Sequence, residues 1–191
     1  MTGRIKQIKS ACFVLFVFVI ISLILVQTNW FWRLIYPLKF TDIILENSRE
    51  YNVDPHLVAA IIYVESKFKP EACSHKGALG LMQIMPDTGR WIAEQMGIDD
   101  FSETDLYDPE TNIQFGSWYL SILKEEFNDE LIIVLAAYNA GLGNVNKWLE
   151  EDWDGRHSSI ADLPFPETRN YVNQILKVYK KYRNLYDIDD K

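Results

Sequence analysis

The chain has 191 residues, 48% of them hydrophobic, which is enough for one globular domain with a substantial core. Its formal charge is −8, and because the first forty residues hold five basic and no acidic side chains, the remainder carries −13. A surface this acidic repels nucleic-acid phosphates, so the composition argues against a nucleic-acid partner.

The N-terminal segment predicts a membrane anchor. An apolar run from Ala11 to Val26, broken only by Ser22, follows three basic residues. The aromatic residues 30–32 can extend this run at the membrane interface, and the basic start favours a cytoplasmic N-terminus. A cleaved signal peptide is the alternative, although no cleavage site of the A-x-A type follows the run. We expect residues 1–39 to form a cytoplasmic start, an uncleaved single-pass transmembrane helix and a juxtamembrane segment.

The sequence from residue 40 to residue 185 predicts an all-α domain, because apolar residues recur at helical spacing and no alternating run typical of a strand occurs. Pro, Asp and Gly mark the helix ends. Five helices are predicted. The first starts after Asp54, the second runs from Pro86 to Met96 and ends at Gly97, and the third runs from Pro109 to about Phe127. The fourth runs from a cap at Asp129 to near Gly141, and the last starts at Pro166. Residues 186–191 are expected to be a frayed acidic tail.

Glu65 is the candidate catalytic acid. Residues Leu57 to Val64 are apolar on every side, the pattern of a helix that is buried all round, and Asp54 with Pro55 can start that helix. Glu65 follows at the carboxyl end, where desolvation and the negative end of the helix dipole both raise the pKa of a carboxyl group. A glutamic acid that stays neutral near physiological pH can protonate a glycosidic oxygen. Taken alone, the residue is better interpreted as a helix-end glutamate in water.

Four separated motifs change this balance. They are Glu65-Ser66 with the loop from Gly77 to Pro86, the segment Ala136 to Gly141, the segment Gly143 to Val145, and the segment Pro164 to Tyr171. In this order they resemble the lytic transglycosylases that cleave bacterial peptidoglycan, the branch related to goose-type lysozyme. The resemblance covers residues 40–185, and a series of motifs is far more specific than any one of them.

The resemblance implies a lysozyme-like, all-α catalytic domain outside the bacterial cell membrane. It implies cleavage of the β-1,4 bond between N-acetylmuramic acid and N-acetylglucosamine in peptidoglycan glycan strands, with formation of 1,6-anhydromuramic acid ends. Glu65 would act first as the acid and then as the base on the sugar's own 6-hydroxyl, so that no water is consumed. Neither a metal nor a cofactor is implied.

Further residues are predicted to bind the substrate, namely Ser74, Gln83, Met85, Tyr138, Asn139 and Glu167. Gln83 is an amide in an apolar stretch and needs a hydrogen-bonding partner, which a sugar can supply. Tyr138 offers a flat face and a hydroxyl group, and Met85 can pack on a pyranose ring. The resemblance places Ser74 and Glu167 beside the substrate. Core positions for Met85 and Tyr138, and a helix-end role for Asn139, are the alternatives.

Three other functions are weighed against this hypothesis. A hydrolytic muramidase would use water and leave a reducing end, and a non-catalytic wall-binding protein would keep only the fold. A cysteine peptidase based on Cys73 and His75 is disfavoured, because residues two apart in a loop rarely form a nucleophile and base pair. The three histidines are scattered and form no metal-ligand pattern.

Overall fold

The computed structural model describes residues 13, 15–20, 28–151, 153 and 160–188, and the chain divides into two compact units, residues 1–38 and residues 39–191. The first unit contains helix α1, Asn29–Ile35. Most of the predicted membrane segment from Ala11 to Val26 lies outside the described residues. Within the ranges given above, no helix combines the length and apolarity needed to cross a membrane.

Helices are the regular secondary structure of the second unit's described residues, where the only bridges of strand type are two isolated ones made by Leu79. This confirms the predicted all-α class. The helices are α2 Thr41–Glu50, α3 Pro55–Ser66, α4 Pro86–Met96, α5 Pro109–Glu126, α6 Leu131–Ala140, α7 Leu142–Glu151 and α8 Pro166–Leu185, with 3-10 helices at Glu103–Tyr107 and Ile160–Asp162.

The predicted start and end signals work as expected for three helices. The Asp54 carboxylate accepts hydrogen bonds from the backbone N–H groups of His56 and Leu57, and Asp108 accepts one from Thr111. Helix α4 ends at Gly97, whose φ of 69° lies in the left-handed region that glycine adopts readily.

The predicted cap of α6 at Asp129 is wrong. Asp129 has a φ of 61°, whereas a capping residue has extended geometry, and the residue flanking the helix is Glu130. The helix forms without a side-chain cap because its buried residues, Ile133 to Ala137, pack in the core. Helices α2 and α7 are absent from the sequence prediction.

Helix α3 lies at the centre of the second unit and packs mainly against α8. The apolar pattern predicted a helix buried all round from Leu57 to Val64; Leu57 to Ile62 are buried, whereas Tyr63 and Val64 are half-buried. Helix α8 buries one face, formed by Tyr171, Val172, Ile175, Val178 and Tyr182 among others. This packing brings Tyr171, near the start of α8, to Glu65, near the end of α3.

Candidate active site

The carboxyl group of Glu65 is held by a hydroxyl from a distant helix. Glu65 is the penultimate residue of α3, and the hydroxyl of Tyr171 in α8 donates a 2.8 Å hydrogen bond to Glu65 Oε1. Tyr171 is itself buried. Because each side chain extends from a packed helix, the orientation of the carboxyl group is fixed by the core.

Burial makes the Glu65 carboxyl group a weaker acid than an ordinary glutamate. Desolvation raises the pKa of its carboxyl group from 4.5 to about 7, although the hydrogen bond from Tyr171 stabilises the anion and opposes the rise. At neutral pH the protonated and ionised forms therefore coexist. A group with this pKa can donate a proton and take one back at the same pH.

A buried asparagine anchors the loop that faces Glu65. Asn112 in α5 is fully buried; its Nδ2 donates to the carbonyl oxygens of Leu79 (3.0 Å) and Leu106 (2.7 Å), and its Oδ1 accepts from the N–H of Met82 (2.7 Å). The hydroxyl of Ser66 donates to the carbonyl of Leu81 at 2.8 Å. The loop is thus tied to both α3 and α5 by satisfied buried polar groups.

Gly80 in this loop is required by close packing. Its φ is 76°, and a Cβ at this position would lie 2.0 Å from the carbonyl oxygen of Leu106 and 2.3 Å from Asn112 Nδ2. No side chain fits there. The backbone at Gly80 therefore lies directly against α5 and the 3-10 helix before it.

Gln83 and Tyr138 also support the loop. The amide nitrogen of Gln83 donates to the carbonyl oxygens of Gly80 (2.8 Å) and Ala72 (3.2 Å), and the hydroxyl of Tyr138 donates to the carbonyl of Met82 (3.0 Å). The Gln83 amide thus has hydrogen-bonding partners, as the sequence indicated, but backbone carbonyls supply them for its nitrogen, and the binding of a sugar by Gln83 stays a prediction.

The predicted site residues meet in one cleft of about 390 Å³. Half-buried Ser74 lies in a tight turn in which its Oγ accepts a 2.9 Å bond from the N–H of Ala78, while Met85 and Asn139 are exposed. All seven predicted residues line the cleft, whose lining is Glu65, Ser74, His75, Lys76, Ala78, Gln83, Met85, Tyr138, Asn139 and Glu167.

The cleft continues past an exposed ion pair. Lys76 Nζ lies 2.9 Å from Glu167 Oε1, and the two side chains are 78% and 73% exposed. Both residues, with Asn139, also line an adjoining hollow of about 380 Å³, where the rings of Trp148 and Phe165 lie 5.0 Å apart. The open ends and aromatic wall suit an elongated ligand.

Comparison with known proteins identifies the family. The model of the transglycosylase SLT domain matches residues 42–160. The chain belongs to the transglycosylase SLT domain family. The family resemblance inferred from the four motifs is thereby confirmed.

Related SLT proteins are considerably longer than this chain. The soluble lytic murein transglycosylase of Escherichia coli K12 is 37% identical over 160 residues, covering 82% of this chain but 24% of the relative. The membrane-bound lytic murein transglycosylase C of Haemophilus ducreyi is 31% identical over 169 residues, covering 77% of this chain and 46% of the relative. The chain thus spans about a quarter to a half of the length of these relatives.

Solved SLT structures show the same fold. The 70 kDa soluble lytic transglycosylase of Escherichia coli matches with a TM-score of 0.75 and 35% identity, covering 81% of this chain and 25% of that one. An inactive glutamate-to-glutamine mutant of the lytic transglycosylase Slt from Pseudomonas aeruginosa matches with a TM-score of 0.69 and 32% identity, covering 81% and 26%. These neighbours support the lysozyme-like class that the sequence predicted.

Sequence reasoning missed three residues of this SLT site. The sequence analysis predicts neither the contact of Tyr171 with Glu65 nor a role for Asn112 or Lys76. A local signal did exist for Asn112, since it is an amide beside Ile113 on the buried side of α5. Lys76 and Tyr171 meet their partners only through tertiary packing, across 91 and 106 residues of sequence.

Proposed function

We propose that this chain is a peptidoglycan lytic transglycosylase in which Glu65 is the catalytic acid and base and residues 40–185 form the catalytic domain. The observation that carries the proposal is the Glu65 carboxyl group. It faces the cleft, has a pKa of about 7 and accepts a hydrogen bond from Tyr171 that orients it. The relatives named as lytic murein transglycosylases support the choice of substrate.

In the first step, protonated Glu65 donates its proton to the oxygen of the β-1,4 bond between N-acetylmuramic acid and N-acetylglucosamine. The bond from the anomeric carbon to this oxygen breaks, and its electron pair leaves with the N-acetylglucosamine. Glu65 is now a carboxylate, which the Tyr171 hydroxyl stabilises through its hydrogen bond. A pKa near 7 makes the proton available at neutral pH.

In the second step, the Glu65 carboxylate takes the proton of the 6-hydroxyl of the same muramic acid. The hydroxyl oxygen attacks the anomeric carbon, which forms the 1,6-anhydro ring and returns Glu65 to its protonated state. Because the nucleophile belongs to the substrate, its effective concentration is high and no water is consumed.

The other cleft residues have supporting roles in this proposal. Ser74, Met85, Asn139 and Glu167 contact the glycan strand, since they line the cleft around Glu65. Gln83 binds the strand through its amide oxygen, because its nitrogen is already bonded within the loop.

The single-acid scheme is favoured over hydrolysis by a feature of the second carboxyl group in the cleft. Hydrolytic glycosidases normally use a second carboxylate as nucleophile or base. Glu167 is the other carboxyl group in the described cleft, and it is exposed and paired with Lys76. That pairing leaves Glu65 as the group suited to move a proton.

The proposal includes membrane anchoring through the apolar run from Ala11 to Val26, with the catalytic domain on the extracytoplasmic side. Its support is the basic start followed by the apolar run, and the relative from Haemophilus ducreyi that is named membrane-bound. Fractionation tests it: the full-length protein should remain with membranes. A mature form that starts after about residue 27 would indicate a cleaved signal peptide instead.

Mass analysis of digested peptidoglycan tests the activity. The wild-type protein should release fragments with 1,6-anhydromuramic acid ends, and Glu65→Gln should release none above background. Reducing muramic acid ends in their place would establish hydrolysis by water. Product formation by Glu65→Gln at the wild-type rate would contradict the assignment of the acid.

A further inference from the structure

A row of four aromatic side chains starts at the cleft and leads away from Glu65. Tyr138 lines the cleft, and its ring centroid lies 5.8 Å from that of Tyr119. Tyr119 lies 6.2 Å from Trp91, and Trp91 lies 5.5 Å from Trp118. The row crosses helices α6, α5 and α4, so the rigid framework of the domain fixes its geometry.

The far end of the row opens into a separate hollow. Trp118 forms part of the wall of a cavity of about 440 Å³ between the end of α2 and the carboxyl-terminal half of α5. Polar residues line the same hollow, among them Glu50, Glu125 and Lys124. A flat aromatic wall with a few polar groups at its edge is the composition of a site that binds an amphipathic ring.

The tryptophans of the row are available to a ligand. Trp91 is 41% exposed, although its ring is among the largest apolar groups of the chain. In the part of the chain that the structure describes, neither the Trp91 nor the Trp118 indole N–H donates a hydrogen bond. Exposed apolar surface next to unused donors marks an interaction site more often than an isolated exposed side chain does.

The charges around Trp118 select among possible ligands. Lys124 is already occupied, since its Nζ donates to the carbonyl of Asn52 at 2.8 Å and lies 3.3 Å from Asp129. The carboxylates of Glu50, Glu125 and Asp129 outnumber this one cation. Their field disfavours an anionic ligand, whereas an uncharged sugar ring can use carboxylates as hydrogen-bond acceptors.

We propose that the aromatic row is a track for the glycan strand and that the Trp118 hollow is a remote sugar subsite that binds an N-acetylhexosamine ring. The inference rests on the proposed function, because the strand bound at Trp118 is the one whose bond lies at Glu65. Its occupant follows from the unbroken row of rings that joins the hollow to the cleft.

Binding at two linked points has a kinetic consequence. A long strand that is held at Trp118 raises the effective concentration of its own bonds at Glu65, whereas a fragment too short to extend from Glu65 to Trp118 gains nothing from the remote contact. The enzyme should therefore have a higher kcat/KM for long strands than for short ones. The ratio of the two values measures the remote subsite and is insensitive to a general loss of active enzyme.

The experiment uses glycan strands fractionated into tetrasaccharides and strands several times longer, with the full-length protein. Trp118→Ala should reduce the long-to-short ratio of kcat/KM by about fivefold or more, the loss typical of a buried aromatic contact. Trp118→Phe, which keeps an aromatic face, should retain most of the ratio. Trp30→Ala is the control, because Trp30 is 64% exposed and belongs to the other unit of the chain.

The opposite results are equally clear. A wild-type ratio near one, or a ratio that Trp118→Ala leaves intact, would overturn the remote subsite while leaving the activity in place. Trp91→Ala provides a second variant if Trp118→Ala does not fold, and an unchanged ratio there would have the same meaning. Failure of the wild type to release anhydro ends from either substrate would instead overturn the proposed function, and the track with it.

Discussion

Two glutamates line the same cleft in contrasting surroundings. Glu65 lies near the carboxyl end of α3 and accepts a 2.8 Å hydrogen bond from the neutral hydroxyl of Tyr171. Glu167 lies in the first turn of α8 and makes a 2.9 Å ion pair with the ammonium group of Lys76. The two contacts are almost equal in length, but Glu65 is half-buried and Glu167 is exposed.

The difference shows that hydrogen-bond length does not identify the reactive carboxyl group. Burial desolvates the Glu65 carboxyl group, and the Tyr171 hydroxyl brings no charge. The pKa of Glu65 therefore rises to about 7, so the carboxyl group keeps its proton up to a pH near that value. Glu167, by contrast, is exposed to water and pairs with the ammonium group of Lys76. Substitutions of each glutamate and of its partner should therefore have different effects on turnover, stability and pH dependence, which follow from the largest to the smallest.

The largest difference is expected in turnover. Glu65→Gln preserves the shape of the side chain but cannot donate the proton, so kcat should fall by about 10² to 10⁴-fold or more. Glu167→Gln removes an exposed charge, and its smaller effect should be on KM. Steady-state kinetics on purified peptidoglycan measures both variants. An equal fall in kcat for Glu167→Gln would mean that two carboxyl groups take part in the chemistry.

A second difference is expected in stability as a function of pH. The pKa of Glu65 is about 7 in the folded protein and 4.5 in the unfolded reference, so the folded state loses stability as pH rises from 4.5 to 7. Glu65→Gln avoids this loss. It should be more stable than the wild type by up to about 3 kcal/mol above pH 7 and equally stable near pH 4.

Urea denaturation of both proteins at pH 4, 6 and 8 measures this difference. Glu167→Gln is the matched control, because it removes a carboxyl group of the same cleft that is exposed rather than half-buried. A constant difference between Glu65→Gln and the wild type at all three pH values would show that the carboxyl group is solvated in the folded protein.

A third effect should follow from removing the partner of Glu65. Tyr171→Phe deletes the hydrogen bond that lowers the pKa of the carboxyl group, so the alkaline limb of the pH profile of kcat/KM should move to higher pH. The loss of orientation should also reduce kcat by about tenfold. Tyr138→Phe is the control, since its hydroxyl bonds the carbonyl of Met82 and its removal should leave the limb in place.

Local sequence signals predicted the elements that carry the site. Asp54, Pro55 and the apolar run before Glu65 fix one helix and its end within a dozen residues, and each signal acts through neighbours in sequence. For the same reason the sequence located the residues that line the cleft, although their roles in substrate binding stay predictions. Asp129 failed as a cap because packing of α6 in the core, a tertiary effect, starts that helix instead.

The contacts that tune the site were beyond prediction from the sequence. The bond from Tyr171 to Glu65 depends on how α8 packs on α3, and Asn112 reaches its partner Met82 across 30 residues. Gln83 shows a subtler limit. The sequence indicated correctly that its amide needs partners, but a loop that turns back on itself supplies them from its own backbone.

The smallest effect should come from the ion pair of Glu167. Lys76 and Glu167 are both largely exposed, so water and salt screen their attraction, and pairs of this kind contribute about 0.2 to 1 kcal/mol. A double-mutant cycle with Lys76→Ala and Glu167→Gln should give a coupling energy in this range that decreases at high salt. A coupling energy well above this range would mean that the ion pair holds the cleft in one conformation.

A weak coupling is what a binding site for a long strand requires. The ion pair between Lys76 and Glu167 can then open between the two adjoining hollows at little energetic cost, and each side chain can contact the sugar.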